Sequence, residues 1–270
     1  MEFLSLRIEQ LGKIAEIILN RPQKANALNE SLWFELERAF RWADQTAEVR
    51  VVILRGEGAH FSAGIDFEFM HSIEKRFAGM TEGHRQDDLR RYIKSLQEAF
   101  TAAEACRKPV IAAIHGSCFG GAIDLITACD IRYASVEASF CVKEVDLSIV
   151  ADIGTLQRLP HLVGEGRARE LALTARVFDS QEANAIGLIS HSLPSPSELL
   201  SYTREQALII SQKSPLAVRG TKQILNYSRD HSIAEGLDYV ATWNSGQLFS
   251  EDLRRSMEAL RSKKNPEFVD

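Results

Sequence analysis

The sequence predicts an α/β protein with a largely parallel sheet, followed by a helical C-terminal part. Three observations carry that expectation. Val51-Val52-Ile53-Leu54 and the run from Val110 to Ile114 are short and continuously apolar, the pattern of strands buried on both faces. Strand and helix patterns alternate through the first half, which implies right-handed strand–helix–strand crossovers. Beyond about residue 160 helical segments dominate, with Pro194 and Pro196 marking the change.

The elements follow in order. Leu4 to Glu9 alternates apolar and polar residues, and Ile14 to Leu19 reads as a second strand, with Leu11-Gly12-Lys13 as the hairpin between them. Asn29 to Trp42 has helical periodicity, with Asn29 as its N-cap and Trp33 and Phe34 opening its apolar face. The buried strand at 51–54 ends at Gly56. A charged segment from His71 to Arg91 leads into a helix that ends near Lys108-Pro109. After the strand at 110–114, residues Gly116 to Cys129 read as a loop and then a helix of small and apolar residues. Two short strands, Asp130 to Ala134 and Ala138 to Val142, come next. The later helices are expected at 167–175, 197–211, 217–227, 233–249 and 253–262. The division is a core over residues 1–195 and a helical region over 196–270, which either caps its own core or packs on a neighbouring subunit.

Composition excludes several classes. The 270 residues are 45% apolar, and 32 Lys and Arg stand against 37 Asp and Glu, so the chain is neither disordered nor suited to binding nucleic acid over its whole surface. Cys106, Cys118, Cys129 and Cys141 lie in apolar or small-residue contexts without metal-ligand spacing, which predicts buried free thiols and no metal site. No segment approaches the ~20 apolar residues of a membrane span, and neither terminus carries a recognisable address. The expectation is a cytoplasmic protein without membrane association.

Three stretches could carry chemistry. Phe61-Ser62-Ala63-Gly64-Ile65-Asp66 follows a buried strand, and its small residues let a ligand approach the backbone; alone it reads more readily as an ordinary strand-to-helix loop. Gly116 to Asp124 places Gly120-Gly121 where a helix opens, offering free N–H groups. Asp124 sits there among Leu, Ile and Ala, which suggests a buried acid rather than a simple partner of the helix dipole. Val142 to Gly154 holds Glu144, Asp146 and Asp152 among apolar residues. Glu144 and Asp146 share a face if the segment is extended, and Asp152 could serve only as the N-cap of a helix near Gly154-Thr155. Acids clustered in apolar surroundings can also hold one proton between them. Together the stretches suggest two loops whose N–H groups clasp a carbonyl oxygen while carboxylates move protons on the adjoining carbon chain. Ser62 is not in a GxSxG context, and His60 and His115 read as structural.

These segments resemble the enoyl-CoA hydratase/isomerase (crotonase) superfamily over nearly the whole chain. The resemblance runs through Leu19-Asn20-Arg21-Pro22, Ala25-Asn26-Ala27-Leu28, Phe61 to Asp66, Gly120-Gly121, Asp130-Ile131-Arg132-Tyr133, Gly154 to Pro160 and Leu173-Thr174. Within it, Cys141 to Pro160 is most similar to the Δ3,5-Δ2,4-dienoyl-CoA isomerases, whose three acids fall on Asp124, Glu144 and Asp152. A typical hydratase would carry Glu at the first of these positions and Gly near the last.

The resemblance implies a crotonase-like spiral of ββα units with a helical C-terminal trimerisation region, and a homotrimer or homohexamer. It implies an oxyanion hole from the N–H groups of Ile65 and Gly121. Ala63, Gly64, Asp66 and Phe67 would line the acyl-CoA site, with Ala25 near its adenine end. Glu144 would take a proton from C2 of a 3,5-dienoyl-CoA, Asp152 would deliver one to C6, and Asp124 would hydrogen-bond within the cluster and tune it. No cofactor is implied, because the thioester is the electron sink. Three departures stand out: Ala122 where many relatives have glycine, the bulkier Ser148-Ile149-Val150, and Asn265 in Lys263-Lys264-Asn265-Pro266. A 2-enoyl-CoA hydratase and a non-catalytic acyl-CoA-binding member are the competing readings; the latter would have no use for three acids among apolar residues.

Overall fold

Six strands form the larger sheet in the computed structural model, which describes residues 3–269. They are β1 (Leu6–Leu11), β2 (Ile14–Leu19), β3 (Val51–Gly56), β4 (Val110–Ile114), β6 (Ile131–Ser135) and β9 (His191–Leu193), in the order β1-β2-β3-β4-β6-β9. β1 and β2 form the antiparallel hairpin, with Gly12 at φ +60° in its turn, and every other pair is parallel. A smaller sheet holds β5 (Ser117–Phe119), β7 (Ser139–Cys141) and β8 (Phe178–Asp179). β5 and β8 are too short to stand out in the sequence; residues 116–129 therefore read there as a loop and a helix only.

Successive strands alternate between the two sheets. β4 lies in the large sheet, β5 in the small one, and the short helix α4 (Gly121–Thr127) follows. β6, β7 and α5 (Thr155–Val163) repeat that order, and Ser62, bridged to Cys118, makes the same step after β3. This is the ββα spiral. It brings the segments that follow β3, β5 and β7 to one place.

The large sheet is covered on both sides, so its strands are apolar throughout. Val52, Leu54, Ala112 and Ile114 face the main core. There α1 (Glu30–Gln45) packs against the 24-residue α3 (Glu82–Ala105), which follows α2 (Phe67–Arg76). Asn29 caps α1 by accepting the Leu32 N–H, as expected. The charged segment expected at 71–91 is thus the end of α2, a turn and the start of α3.

Val51, Ile53 and Ile111 face the other way, toward Leu199 and Ala207 of α8 (Pro196–Ser211). Between α5 and α8 the chain also forms α6 (Glu165–Thr174) and α7 (Ser180–Ala185), in the order α6, β8, α7, β9. α8 packs on five strands of the large sheet or their neighbours, so by packing it belongs to the core. The change of character at residue 195 is not a break in the fold: Leu199 and Ala207 of α8 pack on the sheet. Its Arg204 also reaches fully buried Glu16 of β2 at 2.6 Å, opposite Arg55 at 2.8 Å. Burial alone would raise the Glu16 carboxyl, but the two guanidinium groups hold it below its ordinary value. The last helices, α9 (Pro215–Arg229), α10 (Ile233–Gln247) and α11 (Glu251–Ser262), bury few residues, and Ile233, Phe249 and Leu260 are among the exposed ones.

Candidate active site

The loop after β3 is held by its own amides. Phe61 N donates to His115 O, Ser62 N to Ser117 O, Ala63 N to Ala25 O and Asp66 N to Leu28 O, at 2.7, 3.0, 2.9 and 3.1 Å. Gly64 N donates to the Ser62 hydroxyl at 3.2 Å. Among the described residues, the N–H of Ile65 finds no acceptor. The same holds for Gly121, the first residue of α4, whose N–H is one of the donors that a helix start leaves unpaired.

The two loops carrying these amides touch. Gly64 has φ +88°, and a Cβ there would stand 2.5 Å from Phe119 O and 3.5 Å from Gly121 N. Only glycine allows that approach. Ile65 and Gly121 both line a cavity of about 400 Å³. Its apolar wall comes from α2 and α3, through Met70, Ile73, Leu89, Ile93 and Leu96. Trp33 of α1 closes the floor, stacked on Phe100 with ring centroids 4.7 Å apart and its indole N–H donated to Leu96 O.

Asp124, Glu144 and Asp152 all line this cavity. Asp124 lies in the first turn of α4 and is 1% exposed. Its Oδ1 accepts the Thr155 N–H at 2.6 Å, so the N-terminus of α5 is capped from 31 residues away. Asp152 is therefore not the cap of that helix, whose N-cap position is Gly154. Nor do Asp124's hydrogen bonds run within the acid cluster as expected; the one seen is to Thr155. Glu144 opens a short 3-10 turn, Glu144–Leu147, so it does not share an extended face with Asp146, which is exposed and paired with Lys143. Glu144 Oε1 lies 3.5 Å from where a Cβ on Gly120 would stand, beside Gly121. Its Oε2 is buried without a hydrogen-bond partner. Asp152 is exposed, on the segment before α5, and its carbonyl oxygen accepts the Gln97 side-chain N–H at 2.6 Å.

All three carboxyls are pushed above the ordinary carboxylate range. Burial, then the charge of Glu144, brings Asp124 to about 7 against the pull of the Thr155 hydrogen bonds. Burial, with Asp152 as a further charge, raises Glu144, and partial desolvation raises Asp152. Acids that feel one another's charge, with Asp124 and Glu144 buried, favour holding a shared proton over carrying three charges. The site thus offers two free amides, a base with an unpartnered oxygen and, in Asp124, an acid brought to about 7.

Ala63, Gly64 and Phe67 line the cavity; Ala25 and Asp66 are not among its lining residues. Asp66 caps α2 through Glu68 N and pairs with Arg21 at 2.9 Å. Ala25 braces the loop through its carbonyl, from a φ of +48°. His115 meets Gly58 O and His60 receives the Ser117 N–H, both holding loops. The sequence singles out neither Gln97, in a helix read only as following the charged segment, nor Lys143, within the acid-bearing run 142–154. It marks Trp33 only as core. All four cysteines are buried and free, and no group of three or more His, Cys, Asp or Glu side chains among the described residues could hold a metal ion.

Comparison with known proteins agrees with this geometry. The family model described as Enoyl-CoA hydratase/isomerase matches residues 9–270, and the chain belongs to that family. The chain is 52% identical over 259 residues to the peroxisomal Delta(3,5)-Delta(2,4)-dienoyl-CoA isomerase of Arabidopsis thaliana, covering 96% of this chain and 93% of that protein. It is 45% identical over 262 residues to the mitochondrial Delta(3,5)-Delta(2,4)-dienoyl-CoA isomerase of Homo sapiens, covering 96% of this chain and 80% of that protein. Among solved structures, an enoyl-CoA hydratase from Bacillus anthracis superposes with a TM-score of 0.89 at 31% identity, over 98% of this chain and 99% of that one.

The raised carboxyl of Asp124 has a consequence for stability. The folded protein binds this proton more tightly than the unfolded chain, where an aspartate titrates near 4. Stability therefore falls as pH rises from about 4 toward about 7, and the loss is complete above that. Asp124→Asn keeps an oxygen for Thr155 and removes the charge. Its Tm is expected to rise relative to the unsubstituted protein between pH 5 and pH 8; parallel melting profiles would show that Asp124 carries no such penalty.

Proposed function

We propose that the chain is a Δ3,5-Δ2,4-dienoyl-CoA isomerase acting through a thioester dienolate. The observation that carries the reading is the buried, unpartnered Oε2 of Glu144 beside two unpartnered amides in one apolar cavity. The thioester oxygen sits between the Ile65 and Gly121 N–H groups. Glu144 removes a proton from C2, and the electrons of that C–H bond pass to the thioester oxygen and along the C3–C6 diene. C6 then takes a proton from Asp152, and the carbonyl re-forms, leaving double bonds at C2 and C4. Asp124, sealed behind them, keeps the cluster's charge low. Each amide donor is typically worth ~3–4 kcal/mol to the developing oxyanion. The named relatives support the substrate class.

A hydratase reading follows from the likeness to the Bacillus anthracis protein. It needs a water held between two carboxylates, and here one oxygen of Asp124 is committed to Thr155. For the compartment, the cytoplasmic location expected from the sequence remains our proposal, beside relatives named as peroxisomal and mitochondrial. No helix among the described residues is long and apolar enough to cross a membrane. We assign residues 196–270 to assembly and to capping the CoA site, apart from α8. The exposed apolar residues of α10 and α11, Ile233 and Leu260 among them, with Phe249 in the turn between them, support a homotrimer or homohexamer.

Pure protein mixed with 3,5-dienoyl-CoA of several chain lengths is expected to raise the ultraviolet absorbance of the conjugated product. Glu144→Gln and Asp152→Asn should each lower kcat by about 10²–10⁴-fold. Silence with every chain length, or full turnover in both variants, would remove the assignment. Light scattering should give the mass of three or six copies; the mass of one chain would refute the assembly.

A further inference from the structure

We propose that Gln97 is a positioning residue that aims Asp152 at the far end of the diene. The inference rests on Asp152 being the C6 proton donor. Asp152 belongs to a stretch without regular structure: between Ile149 and Gly154 no backbone–backbone hydrogen bond is donated by residues 150–153 among the described residues. Three polar ties hold that stretch instead. Asp124 takes the Thr155 N–H, Arg158 Nη1 reaches Ile153 O at 3.4 Å, and Gln97 Nε2 donates to Asp152 O at 2.6 Å. Arg158 is itself fixed to Glu104 of α3 at 2.7 Å.

Only the Gln97 bond acts at Asp152 itself, and it runs from the middle of α3, the helix that also supplies the cavity's apolar wall. The same helix therefore sets where the acyl chain lies and where the acid stands. Glycine at 154, with φ +133°, lets the chain turn from this stretch into α5 and gives the segment a pivot. Loss of the Gln97 bond lets the peptide at Asp152 rotate and swing the carboxyl away from C6. Misplacement of a reacting group by ~1 Å typically costs ~10²-fold in rate. Gln97 carries no charge, so its removal leaves the electrostatics of the acid cluster in place.

Removal of the C2 proton needs Glu144 and the two amides but not Asp152. The two halves of the reaction can therefore be read apart. In D₂O, Gln97→Leu should slow isomerisation by about tenfold to 10²-fold with KM little changed, while deuterium still enters C2 of the recovered 3,5-dienoyl-CoA. The ratio of C2 exchange to isomerisation therefore rises. Gln97→Met, of similar length, uncharged and without the N–H donor, should behave alike, which covers the case where leucine disturbs packing. Equal loss of exchange and isomerisation in both variants would show a merely structural role. Full isomerisation in both, with Asp152→Asn inactive, would overturn the role of Gln97 and leave the site reading intact. If Asp152→Asn itself isomerises at the normal rate, the site reading fails and this inference with it.

Discussion

The site depends on a contact that only glycine permits. At Gly64 the loop after β3 presses on the loop after β5, so closely that a single methyl would overlap Phe119 O. That approach brings the neighbouring amides of Ile65 and Gly121 to one wall of the cavity. Every other amide of the 61–66 loop is already bonded, so the loop is rigid and its one free N–H has a fixed direction. Donors fixed before the substrate arrives need no reorganisation as charge develops on the oxygen, and in a cavity with an apolar wall their effect is not diluted by water.

The acids follow from the same topology. Each turn of the spiral ends near the previous one, so residues from α4, the 144–147 turn and the approach to α5 meet without being close in sequence. Asp124 does two things there. Its hydrogen bond to Thr155 ties the start of α4 to the start of α5, and its burial makes ionisation costly. A reluctant third acid leaves the cluster with less negative charge for Glu144 and Asp152 to work against. Asp124 and Glu144 are buried beside the apolar wall of α2 and α3, while Asp152 remains exposed.

Much of this was legible in the residues. The runs at 51–54 and 110–114 announced strands covered on both faces, and Asn29 announced the start of α1. Asp124 was visible as an acid in apolar company, because burial of a charge leaves a local trace. Other features left none. The cap on α5 comes from Asp124 rather than Asp152 because the partner is supplied by tertiary folding, which local capping rules do not see. Asp146 looked equivalent to Glu144 until the 3-10 turn separated them. Gln97 is an amide in a helix that begins with a charged run, and nothing in its neighbours shows that it reaches the Asp152 carbonyl. α8 looked like part of the C-terminal region because its composition matches the helices after it, while its apolar side matches the sheet.

The central claim is that two backbone amides polarise the thioester carbonyl. Vibrational difference spectroscopy of bound 2,4-dienoyl-CoA, with ¹³C at the thioester carbon to mark the band, tests it most directly. The account predicts a carbonyl stretch at lower frequency on the protein than in water, and a smaller displacement in Gly64→Ala, where the loops are forced apart. A carbonyl frequency on the protein equal to that in water would contradict it.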